Sequence, residues 1–114
     1  MTVEEFYNNT GGDYEEIIKR FKAPEKVVRF VNMFMKDGNY NDLKAAIEEK
    51  NAEAAFKAAH NLKGVSANLS FKKLTAAASD ITEALRNGEL EKAIEIMPRV
   101  SECYELIAAL VGEL

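Results

Sequence analysis

Apolar side chains recur every three or four residues along nearly the whole chain, and no strand-length run alternates apolar with polar positions. That periodicity predicts an all-helical protein. In "TVEE" and "DYEE" a glutamate follows three residues after Thr2 or Asp13, the arrangement in which cap and carboxylate satisfy each other's backbone neighbours. Two short helices should begin there, separated by Gly11 and Gly12. The first long helix opens at "APEKVVRF", where Pro24 takes the first helical position without sacrificing a bonded N–H, and closes near Gly38. Val27, Phe30, Val31 and Phe34 form its buried stripe.

A second helix spans about Asn41 to Lys50 and turns Leu43, Ala46 and Ile47 inward, after which Asn51 caps a third that runs to about Leu69. Ser70 is expected to cap the fourth. That helix buries Leu74, Ala77, Ala78, Ile81 and Leu85 and stops before Asn87 and Gly88. The last begins around Glu89 and sets Ala93, Met97, Val100, Tyr104, Ile107 and Val111 at 4-3 spacing, the seam of a bundle. Pro98 removes one ladder hydrogen bond but leaves the seam in phase, which predicts a kinked helix, not two helices. Short connections make neighbouring amphipathic helices antiparallel. The expected fold is all-α: an up-down-up-down four-helix bundle over residues 23–114, with residues 1–22 as a helical arm packed on it.

Composition narrows the function classes. The 114 residues suit one domain with one core. A net charge of -4 and the lack of a dense Lys/Arg block argue against nucleic-acid binding, which needs cations to neutralise phosphates. One cysteine, Cys103, excludes an internal disulfide, and its place in an apolar helical pattern reads as a core thiol. No apolar run reaches spanning length and no export signal opens the chain, so a cytoplasmic protein with no membrane association is expected. The chain has no glycine-rich phosphate loop, and a single histidine with a single cysteine cannot make a usual zinc site.

The single histidine lies in "AAHNLKGVSANL". Advancing about 100° per residue from His60, Ala55, Ala58, Leu62, Val65, Ser66 and Leu69 fall in an arc about 140° to 240° away. The imidazole therefore points out of the bundle. On its own side lie Glu53, Phe56, Lys63, Gly64 and Ala67. A neutral imidazole nitrogen is a good nucleophile near neutral pH, and Lys63 can attract an anion to it and offset the charge of a phosphoryl group held there. Gly64 clears the surface for a close partner, which would explain a mid-helix glycine. A lone exposed histidine is more often only a solvated residue, and a helical glycine can also serve helix packing. The angle of Gly64, away from the core, weakens the second alternative.

"AHNLKGVSANL" resembles the signature of histidine phosphotransfer (HPt) domains, roughly A-H-x-L-K-G-x-x-x-x-L-G, through Ala59, His60, Leu62, Lys63, Gly64 and Leu69. "DLKAAIEEKNAEAAFKAAHNLKG" resembles the family's approach to its active helix, and "ALRNGE" the turn before its last helix. Two positions depart: Ser70 stands where glycine is usual, and Thr82 where a Glu is common after a leucine that is here Ile81. The resemblance implies that His60 accepts a phosphoryl group from an aspartyl phosphate on a response-regulator receiver domain and passes it to another receiver, with a hybrid sensor histidine kinase upstream. It implies no autonomous enzyme and no cofactor on this chain, the Mg2+ for transfer belonging to the receiver.

Phe56, Ala67 and Phe71 project near the same face and are candidates for an apolar docking surface, although both aromatic rings could equally pack against adjoining helices. Lys57, Lys72 and Lys73 read as solvated, or as steering an acidic receiver. An exposed active helix is compatible with a monomer. The alternative is a helical-bundle scaffold that transfers no phosphate; the joint presence of His60, Lys63 and Gly64 favours the relay.

Overall fold

The computed structural model describes residues 1–114 as seven α-helices with no strand: α1 (Val3–Thr10), α2 (Tyr14–Phe21), α3 (Pro24–Met35), α4 (Asn39–Glu48), α5 (Ala52–Asn68), α6 (Lys72–Arg86) and α7 (Leu90–Val111). Thr2 forms the full capping box with Glu5, and Asp13 accepts from the Glu16 N–H, so both short helices start where the cap residues place them. Helix α4 starts two residues before its apolar pattern does. The Asp37 side chain accepts from the Asn39 N–H at 2.9 Å, and Tyr40 is drawn into the core, stacked on Tyr104 at 3.9 Å and donating to the Ser101 hydroxyl at 2.9 Å. Helix α7 continues through Pro98, which is exposed.

Helix α5 packs between α4 and α6, α7 packs on α6, and α7 returns to α4, so these four form a bundle around one core. Helix α3 packs on α2, α1 and α7. The inward residues expected from periodicity are mostly fully buried. Phe30, Tyr104 and Val111 are only half-buried, because Phe30 stacks on Phe21 at the rim and the end of α7 meets solvent. No helix is long and apolar enough to cross a membrane.

Ser70 does not cap α6. Its φ of 58° places it in the left-handed region, so its side chain turns away from the first N–H groups of α6, whose cap, Phe71, makes no side-chain bond. The Ser70 hydroxyl instead donates to Glu16 Oε1 at 2.7 Å, and its carbonyl accepts from the Asp13 N–H at 2.8 Å. The arm lies that close because Gly12 permits it: a Cβ there would stand 2.5 Å from the Tyr7 ring and 3.1 Å from the Ser70 carbonyl. Tyr7 itself is buried and donates to the Leu69 carbonyl at 2.8 Å, and burial pushes its phenol well above the ordinary tyrosine range.

Candidate functional site

Helix α5 carries the site because its sequence has one strongly apolar side. Asn51 accepts from the Ala54 N–H at 3.1 Å to start the helix, and Ala55, Ala58, Ala59, Leu62 and Ser66 are buried against α4 and α6. Four of these five are small, which lets both neighbours approach closely. The opposite side is left for solvent. His60, in mid-helix, is exposed; Lys63 is half-buried, and Gly64 and Ala67 are exposed one and two turns on.

Helical side chains lean toward the N-terminus of their helix. Lys63 therefore inclines back toward His60, and a side chain at position 64 would lie over the imidazole. Gly64 has none, and a Cβ built there would meet nothing within 4 Å beyond its own stretch of helix. On the other flank, the His60 ring lies nearly parallel to Phe56, with centroids 6.0 Å apart and planes 17° from parallel. Phe56 is half-buried, and from the end of α6 the Arg86 guanidinium stands 5.1 Å from its ring centroid. The imidazole thus has an aromatic floor on one side and open backbone on the other.

Phe71 does not belong to this surface. It is fully buried, stacked on Tyr7 at 5.1 Å and edge-on to Phe6 at 6.1 Å. The physical reason is its place at the head of α6, where the chain turns inward and the arm closes over the ring. Lys72 and Lys73 are likewise engaged with the arm: Lys72 pairs with Glu16 at 2.8 Å, and the Lys73 stem lies where a side chain on Gly11 would otherwise go. Lys57 stays exposed. Thr82 is buried and donates to the Ala78 carbonyl at 2.6 Å, so its hydroxyl is absent from the surface around His60. Arg86 is the residue that sequence reasoning passed over. It follows His60 by 26 positions on another helix, and no local spacing signals the meeting.

The arrangement offers an exposed imidazole, a lysine one helical turn on and open space beside Gly64. Comparison with curated proteins and with solved structures gives no match. The family model for the Hpt domain matches residues 36–110, a stretch that contains α4, α5 and α6 and most of α7. Hpt domains are phosphocarrier modules of two-component phosphorelays. With His60 and Gly64 of its motif exposed on α5 and two thirds of its length matched, the chain belongs to the Hpt domain family.

Proposed function

We propose that the chain is a phosphorelay intermediate in which His60 takes a phosphoryl group from a receiver-domain aspartyl phosphate and hands it to the aspartate of another receiver. One imidazole nitrogen supplies the electron pair for the new N–P bond as the acyl P–O bond breaks, and the aspartate leaves as a carboxylate. The other nitrogen keeps its proton. Onward transfer breaks the N–P bond and returns its electron pair to the ring, so the chain is regenerated without turnover chemistry of its own. Lys63 offsets the phosphoryl charge, Gly64 gives the receiver access, Ala67 borders the docking surface, and Phe56 lies against the imidazole. In this reading Mg2+ resides on the receiver, a hybrid sensor kinase charges the relay, and the chain works as a cytoplasmic monomer. Its α4 to α7 alternate up and down, with the first residues as a docked arm.

The single observation that carries the reading is an exposed imidazole in mid-helix whose i+4 neighbour is a glycine facing open space. The test is to mix the purified chain with a receiver charged by a small phosphodonor and follow intact mass and acid lability. The expected result is one acid-labile phosphoryl group that is absent from His60→Gln and shorter-lived in Lys63→Ala. A chain that stays unmodified, or a His60→Gln variant that is still labelled, would return the protein to the class of scaffolds.

A further inference from the structure

We infer that Phe56, braced by Arg86, is a positioning residue that holds the His60 imidazole in the orientation from which it is phosphorylated; this rests on the phosphorelay reading. An exposed histidine on a helix ordinarily exchanges between at least two staggered rotamers, and only some direct a ring nitrogen outward toward an incoming phosphorus. The ring contact of defined geometry at His60 is Phe56, at i-4 on the same helix, nearly parallel at 6.0 Å. Because helical side chains lean toward the N-terminus, the imidazole settles onto this ring, leaving its Gly64 side open.

Phe56 is fixed in turn. Its Cα is set by α5, and the Arg86 guanidinium, 5.1 Å from the ring centroid, reaches it from the last turn of α6. Arg86 is itself tied to Glu83 at 3.2 Å. The chain of contacts therefore runs from the framework of α6 to the reacting ring, with one aromatic side chain between the cation and the imidazole. A nucleophile held in an attack-ready orientation reacts faster at a given encounter, with no change in how tightly the partner is held. That distinction separates positioning from docking.

The test measures phosphoryl transfer from a charged receiver over a range of receiver concentrations, giving a maximal rate and a half-saturating concentration. Phe56→Leu keeps an apolar side chain but loses the flat ring; its maximal rate should fall about three- to tenfold with half-saturation unchanged. Phe56→Tyr, which keeps the ring, should restore the wild-type rate. Arg86→Gln, at an exposed position, should lower the maximal rate about twofold. In parallel, the His60 ring-proton resonances should lose the ring-current shift of Phe56 in Phe56→Leu and keep it in Phe56→Tyr. A Phe56→Leu variant with unchanged maximal rate and raised half-saturation makes Phe56 a docking residue and overturns the inference. Unchanged ring resonances in that variant also overturn it. Wild-type chain that takes no phosphoryl group defeats the relay reading as well, so the two failures are distinguishable.

Discussion

Gly64 sits where a helix is weakened by glycine and nothing structural asks for it. Its backbone is helical, it lies in the interior of α5, and a Cβ built on it would meet nothing within 4 Å beyond its own stretch of helix. Gly64→Ala should therefore gain the full propensity difference with no steric penalty, about 0.8 to 1 kcal/mol. Unfolding entropy of about 2.1 cal/mol/K per residue gives about 0.24 kcal/mol/K for a chain of 114 residues, so the melting temperature should rise by about 4 °C. Gly64→Gln should gain roughly half as much, since glutamine is a somewhat poorer helix former than alanine.

Function should move the other way. A side chain at position 64 leans over His60, so transfer from a receiver should slow in Gly64→Ala and nearly stop in Gly64→Gln. Labelling of His60 by a small phosphodonor needs far less room and should persist in both. The assays are thermal unfolding by circular dichroism and transfer measured with receiver and small donor side by side. A loss of stability in Gly64→Ala would mean that the glycine serves packing, and Gly64→Gln with an undiminished receiver rate would refute the access argument outright. A more stable, less active variant is the outcome expected where a local rule is broken for function.

Further outcomes concern three framework residues. Tyr7→Phe removes the buried hydroxyl that donates to Leu69 and should cost about 1 to 3 kcal/mol in urea unfolding. Because burial raises the folded Tyr7 phenol above its ordinary value of 10.0, its contribution is complete below pH 10.0 and is lost as the pH rises further; Tyr7→Phe should flatten that alkaline limb. Hydrogen bonds from Lys72 and Ser70 hold the Glu16 carboxyl below its ordinary 4.5, so stability from Glu16 is present above pH 4.5 and disappears as the pH falls through the lower folded value. Glu16→Gln should shrink that acid limb in a pH series of melting temperatures. At Ser70, alanine keeps the left-handed backbone and loses the hydroxyl, whereas glycine relaxes the backbone, so Ser70→Ala should be less stable than Ser70→Gly by about 1 kcal/mol.

Periodicity made most of the fold legible, because burial of one helical face repeats locally. The same logic put His60 outside: Ala55, Ala58, Leu62 and Ser66 are all buried on the far side of α5, while His60, Gly64 and Ala67 are exposed. The failures cluster where the chain stops being periodic. Around Ser70 a wheel has no phase to offer, so on sequence alone Phe71 fits a docking surface and a packed interior equally and Ser70 reads as a cap, whereas the backbone there turns left-handed and carries Phe71 into the core. Glycine at that position in the family pattern was the available sign of positive φ. Contacts between distant segments left no local trace at all: Tyr7 with Leu69, Glu16 with Ser70 and Lys72, and Arg86 with Phe56 each join residues on different elements.

The contacts made by Tyr7 and Glu16 gather at the C-terminal end of the helix that bears His60. The last carbonyls of any helix lack intrahelical donors. In α5, Arg20 donates to the Ala67 carbonyl at 3.2 Å and also to that of Asn68, while Tyr7 donates to Leu69 just beyond. Arginine at a helix C-terminus is also favoured by the helix dipole. Tyr7 and Arg20 precede the span matched by the family model, so this anchor comes from residues outside the matched stretch. That anchor acts at a distance from the chemistry: Asn68 follows His60 by eight residues, about 12 Å along the axis. The two roles should therefore separate experimentally, with Tyr7→Phe lowering stability while the rate of phosphoryl transfer, measured well below its melting temperature, stays at the wild-type value. A parallel fall in that rate would show that the end of α5 and its exposed middle are mechanically coupled.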